Sequence, residues 1–166
     1  VTVAILIGSV ATANISFDNT IDIIGHRGAG GVAPENTRAA IEQAISAGAQ
    51  WVEIDVQETI DGEVVVIHDS DLMKIAGVDL KVWDASLEEI TAVDIGSSFD
   101  SKFQDERVPT LREVLDLCKG RIGIIIELKS YGHDQMLEQR VVDLVEAAGS
   151  VEEVQCMSLK TEIVAR

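Results

Sequence analysis

Residues 51–56 read Trp51-Val52-Glu53-Ile54-Asp55-Val56. Side chains alternate across a strand, so Val52, Ile54 and Val56 share one face while Glu53 and Asp55 share the other. A parallel α/β sheet is normally covered on both faces, and two carboxylates on one covered face repel unless a cation or a proton compensates. A hard divalent ion, Mg²⁺ or Ca²⁺, takes such oxygen ligands, whereas neither the spacing nor the residue types indicate zinc. The competing reading of this stretch is a strand end where both acids reach water.

On either side of this stretch the apolar pattern keeps switching between short strand-like runs and helical periods, as in a parallel α/β sheet with crossover helices. Strands are predicted over Ile21–Gly25, Trp51–Val56, Val64–Ile67, Ile122–Leu128 and Val154–Leu159, with Asp61-Gly62 as a turn into the third. Ala40, Ile41, Ala44 and Ile45 form one helical face after Pro34-Glu35-Asn36-Thr37, and Gly48 closes that helix. Ser86 with Glu89, and Thr110 with Glu113, have the capping-box spacing and start two more helices. Met136, Leu137, Val141, Leu144, Val145 and Ala148 supply a further apolar stripe, ended by Gly149.

The chain has 166 residues, which matches one domain of ~100–200 residues. With 46% hydrophobic and 25% charged residues it has the composition of a folded chain with a real core. Its net charge of −16 argues against nucleic acid as a partner and favours bound cations. Two cysteines, Cys118 and Cys156, make no disulfide framework, and both read as packing residues, as do Trp51 and Trp83. Residues 1–13, VTVAILIGSVATA, are uncharged and mostly apolar. As a helix they would rise only ~20 Å against a ~30 Å hydrocarbon core. They read as the end of a membrane helix, a signal peptide or a buried segment; either of the first two would make the domain membrane-anchored or exported. Residues 14–20 read as a polar linker to the domain at 21–166.

Charge also gathers at other predicted strand ends. Glu127 and Lys129 close the apolar run Gly123–Ile126, and strand C-termini form the working face of α/β barrels and open α/β sheets. A surface ion pair is the alternative there. His26 and His68 each follow a predicted strand, and two imidazoles titrating near neutrality could supply the acid and base of phosphodiester cleavage. His133, beside Gly132, reads as a surface loop residue. Arg27 could chelate a phosphate, with Gly28 allowing close backbone approach. Gly28-Ala29-Gly30-Gly31 resembles a phosphate-cradling loop but lacks the lysine and hydroxyl of a nucleotide P-loop.

Taken in order, His26-Arg27-Gly28, Pro34-Glu35-Asn36-Thr37, Glu53-Ile54-Asp55-Val56, Thr59-x-Asp61-Gly62, His68-Asp69, Val108-Pro109-Thr110-Leu111 and Glu127-Leu128-Lys129 resemble the glycerophosphodiester phosphodiesterase family. The resemblance implies a TIM-type (β/α) barrel in which Glu53, Asp55 and Glu127 bind Mg²⁺ or Ca²⁺. It implies His26 and His68 as general acid and base, and Arg27 and Lys129 on phosphate oxygens. The implied reaction is hydrolysis of a small-molecule glycerophosphodiester to a glycerol phosphate and an alcohol. Lysophospholipase-D-like and sphingomyelinase-D-like enzymes, and a noncatalytic interaction module, are the alternatives. Lys74-Ile75-Ala76-Gly77 departs from the arginine and threonine often found at that point in the family. Five predicted strands fall short of the eight, in ~250 residues, of a closed barrel, so an incomplete barrel lacking its C-terminal strands is expected. The alcohol group and the oligomeric state are not legible in the sequence.

Overall fold

The computed structural model describes residues 21–164, so the apolar segment 1–13 and the linker 14–20 lie outside the described residues. Among the described residues no helix is long and apolar enough to cross a membrane. The order is β1 (Ile24–His26), α1 (Arg38–Ser46), β2 (Trp51–Glu58), β3 (Val64–Val66), α2 (Met73–Ala76), α3 (Leu87–Thr91), α4 (Leu111–Cys118), β4 (Gly123–Leu128), α5 (Leu137–Ala148), β5 (Val154–Met157) and α6 (Thr161–Val164).

The sheet runs β1-β2-β4-β5, all parallel, which is the strand-helix alternation of an α/β barrel wall. β2 is its axis. β4 pairs with Trp51–Val56, and the opposite edge is shared by β1 along Trp51–Glu53 and β3 along Val56–Glu58. The strand predicted at Val64–Ile67 is therefore antiparallel to β2, a correction to the all-parallel expectation. The reason lies in the connection: residues 59–63 can make a hairpin but are too few for a crossover. Thr59 organises that turn. Its hydroxyl donates to Asp61 Oδ1 at 2.6 Å and accepts from the Glu63 N–H.

Val52, Ile54 and Val56 are wholly buried, as the alternation requires, against Ile41 of α1, Leu111, Val114 and Leu115 of α4, and Leu137 and Val141 of α5. Each such side chain contributes about 1.5–3 kcal/mol relative to exposure. β3 splits its face: Val64 and Val66 join this core, while Val65 joins a second cluster with Leu72, Val82, Ile90, Ile95 and Val108. Residues 70–108 thus form a small layer over the hairpin. The Thr37 hydroxyl caps α1, and both capping boxes form, Ser86 with Glu89 and Thr110 with Glu113.

Several boundaries differ from expectation, among them β2, which runs two residues further to Glu58, and β3 and β4, each one residue shorter. β1 begins at Ile24 and includes His26, leaving Ile21 and Ile23 exposed. β5 stops at Met157, and Cys156 on it is exposed rather than packed. Met136 is also exposed, standing at the N-cap of α5 instead of in its buried stripe. Cys118 is fully buried, and burial pushes its thiol up to about 12.

Glu58, at the end of β2, is buried, pairs with Arg140 and accepts the N–H groups of Gln135 and Met136, so it holds the start of α5. Gly62 sits over that pair with φ +84°, and a Cβ there would run into the Arg140 guanidinium. Gly62→Ala is expected to destabilise the fold by about 2 kcal/mol, from left-handed strain plus disturbance of the buried ion pair, read as a lower urea midpoint.

Candidate active site

Strand register assembles the site. His26 lies opposite Glu53 across β1–β2, and Asp55 lies opposite Glu127 across β2–β4. One carboxylate oxygen from each of Glu53, Asp55 and Glu127 falls within 4.8 Å of the others. Glu53 is 7% exposed, Asp55 1%, and the Glu127 side chain 12%. Two cations face them. Lys129 Nζ is 3.0 Å from Glu127 Oε1 and 3.5 Å from Asp55 Oδ1, and Arg27 Nε is 3.4 Å from Asp55 Oδ2.

Burial holds the Glu53 carboxyl above its ordinary range, with Asp55 and Glu127 adding to the effect and the Arg27 N–H, 2.9 Å from Oε2, opposing it. Desolvation pulls Lys129 down, yet the hydrogen bond it donates to Glu127 and the charges of Asp55 and Glu127 outweigh it and hold it above the usual lysine range. Asp55 Oδ1 is buried with no hydrogen-bond partner among the described residues, although the geometry elsewhere on this side chain is well satisfied: Asn36 Nδ2 donates to Oδ2 at 2.9 Å. Three carboxylates against two cations, with a buried Asp55 oxygen that accepts no hydrogen bond, form an all-oxygen donor set that suits a hard divalent cation.

The turn after β1 is tightly constrained. Arg27 (φ 53°) and Asn36 (φ 59°) are the non-glycine residues with left-handed backbone among the described residues, and both meet Asp55. Such strain persists where surrounding contacts over-determine it. Asn36 does so here through a two-way bond, since its Oδ1 also accepts the Asp55 N–H at 3.2 Å. Gly28 (φ +75°) presses on α1, where a Cβ would stand 2.7 Å from the Ala40 backbone. The amides of Gly28, Ala29 and Gly30 donate to the carbonyls of Glu53, Ala40 and His26. These three amides are spent inside the protein and do not point into a phosphate cradle. The Gly-rich stretch borders an open cleft of about 440 Å³ together with His26, Arg27 and Glu35.

The two histidines occupy different settings. The His26 side chain is 75% exposed, with Nε2 3.8 Å from Glu53 Oε2. His68 is 25% exposed, and its Nδ1 lies 2.6 Å from Asp69 Oδ1. With the Nδ1 hydrogen on Asp69, the Nε2 lone pair faces outward, a tautomer assigned from this contact. Among the described residues no ion pair joins His68 directly to the Glu53-Asp55-Glu127 group. The link runs through Glu35, whose Oε1 accepts from Arg27 Nη1 at 3.0 Å and whose carboxylate approaches His68 and Asp69 within 4.8 Å. Lys74 Nζ closes that side at 3.0 Å from Glu35 Oε2. His133 is exposed and stacks on Trp83 at 4.1 Å, so it forms no part of this site. Asn36, Glu35 and Lys74 were not read as site residues from sequence. Asn36 carried a usable signal, since asparagine before a helix cap tolerates left-handed backbone.

The profile of the Glycerophosphoryl diester phosphodiesterase family matches residues 26–158. The chain is 44% identical over 109 residues to a glycerophosphodiester phosphodiesterase of Caldanaerobacter subterraneus, covering 65% of this chain and 45% of that protein. To human glycerophosphodiester phosphodiesterase 1 it is 35% identical over 116 residues, 68% of this chain and 35% of that one. The crystal structure of glycerophosphodiester phosphodiesterase from Agrobacterium tumefaciens superposes with a TM-score of 0.80 at 36% identity, covering 87% of this chain and 60% of its own. An Oleispira antarctica phosphodiesterase in complex with the product sn-glycerol-3-phosphate gives 0.82 at 30% identity with the same coverage. The chain spans about half the length of the curated relatives it matches. Its fold is the TIM-type barrel of these proteins, of which β1–β5 are described here.

The Glu53 shift has a measurable sign. Because its folded value is raised above the ordinary 4.5, the stabilising contribution is full below that value and is lost as pH rises through the folded one. With chelator present, the thermal midpoint should fall as pH is raised from about 4.5 toward neutrality, and Glu53→Gln or an added divalent cation should shrink that fall.

Proposed function

This chain belongs to the glycerophosphoryl diester phosphodiesterase family, and from that premise we propose that it carries the catalytic half-site for divalent-metal-dependent hydrolysis of glycerophosphodiesters to a glycerol phosphate and an alcohol. The observation that carries the reading is the convergence of Glu53, Asp55 and Glu127, with Asp55 Oδ1 buried, without a hydrogen bond and facing Lys129 at 3.5 Å.

Glu53, Asp55 and Glu127 would hold Mg²⁺ or Ca²⁺, which supplies Lewis-acid stabilisation of charge on the phosphoryl oxygens. Arg27 and Lys129 add the positive charge that a phosphodiester and its more highly charged transition state require. Lys129 remains protonated for this, because its neighbouring carboxylates favour the ammonium form. Arg27 is oriented in advance by Glu35 and Asp55, so little side-chain freedom is lost on binding. His26 and His68 divide the proton work: one accepts the proton of the attacking oxygen, the other donates to the departing alkoxide, and the P–O bond to the alcohol breaks as the new P–O bond forms. That oxygen is either water, giving the glycerol phosphate directly, or the substrate's own hydroxyl, giving a cyclic phosphate that water then opens. His68, with Nδ1 held by Asp69, has one nitrogen left for that exchange.

The full reading frame, expressed and purified, should hydrolyse sn-glycero-3-phosphocholine with Mg²⁺ or Ca²⁺ and lose activity on chelation. Glu53→Gln and His26→Ala should each lower kcat/KM by at least about a hundredfold. Full activity in both variants would sink the assignment.

A further inference from the structure

We infer that Gln57 and Tyr131 are positioning residues that clamp the backbone of His68 from β2 and from the segment that follows β4. The inference rests on the proposed acid-base role of His68.

Gln57 stands on β2 in the same alternating row as Glu53 and Asp55, and it is 3% exposed. Where two carboxylates face the site, the third position of the row is an amide, and its surroundings explain why. β3 ends at Val66, and the chain then leaves the sheet with the carbonyls of Ile67, His68 and Asp69 turned to one point. The two N–H groups of Gln57 Nε2 are shared among them, at N···O distances of 2.9, 3.1 and 2.7 Å. A carboxylate at 57 would oppose three carbonyl oxygens, whereas an amide offers N–H donors.

A second donor arrives from the far side. Tyr131, in the segment after β4, donates its hydroxyl to the same His68 carbonyl at 2.9 Å. Burial pushes its hydroxyl up against the opposing charge of Lys129, with Asp69, Asp55 and Glu127 adding to the rise, so it stays a donor at neutral pH. The ring leans on Trp83 at 6.1 Å between centroids. His68 is thus held by its carbonyl from β2 and from the end of β4, and by Nδ1 through Asp69. Only Nε2 is left to act. A clamp of this kind serves rate through orientation, since a small misplacement of a proton-transferring group is costly while ground-state binding is little affected.

The test uses the full reading frame with sn-glycero-3-phosphocholine and saturating Mg²⁺ or Ca²⁺, comparing wild type, Tyr131→Phe, Gln57→Met, the double variant and His68→Ala. Tyr131→Phe keeps the ring and removes one hydroxyl; kcat should fall about three- to tenfold with KM changed less than about twofold. Gln57→Met should lower kcat by more than about tenfold, and the double variant should fall short of the product of the two, because both donors share one carbonyl. Should Gln57→Met not fold, Tyr131→Phe decides alone. Wild-type kcat in Tyr131→Phe, or a rise confined to KM, beside an inactive His68→Ala, refutes the clamp and leaves the histidine assignment standing. An active His68→Ala refutes that assignment, and the clamp with it.

Discussion

Like-charge repulsion among three carboxylates inside a sheet is the constraint around which this protein is built. Glu53, Asp55 and Glu127 sit on adjacent strands, mostly shielded from water, and their mutual approach must be compensated. Arg27 and Lys129 provide part of that compensation, and the Asn36 amide and Arg27 N–H provide hydrogen bonds. The remainder shows as a raised Glu53 and a buried Asp55 oxygen that accepts no hydrogen bond, which is the state expected of ligands arranged for a cation. Acids placed for function rather than stability are a familiar source of stored free energy in a fold.

The sheet and its loops divide this task. Parallel register across β1, β2 and β4 sets the carboxylate positions within the rigid core, whose apolar face is anchored by Ile54, Ile126 and Leu115. The segments just past the strands set the cations and His68, while His26 closes β1. Arg27 and Asn36 accept left-handed backbone for this, held by Glu53, Asp55 and Gly28's approach to α1. Sites on rigid elements with strained, tied-down loops are more precise than sites on free loops.

The hairpin β2–β3 has a consequence for the placement of His68. A parallel third strand would have needed a long crossover and would have carried His68 to a different edge of the sheet. Folding back over Thr59–Glu63 instead returns the chain onto the projecting end of β2, so that His68 emerges beside Gln57 and within reach of Tyr131. The small layer over residues 70–108 covers the hairpin's other face and brings Lys74 to Glu35.

Much of this was legible in one dimension because it depends on short-range periodicity. Alternation in Trp51–Val56 put Glu53 and Asp55 on one face, capping spacings located α3 and α4, and the clustering of His26, His68, Glu127 and Lys129 at strand ends indicated a shared face. The signals used there were local, and local backbone geometry suffices to create them. What the tertiary structure decided was partnership: the antiparallel return of β3, the exposure of Cys156, the inward spending of the Gly-rich loop's amides, and the roles of Asn36, Glu35, Gln57 and Tyr131. Each depends on which distant segment lies alongside, and a hydrogen bond between residues dozens of positions apart has no periodicity for a sequence to display.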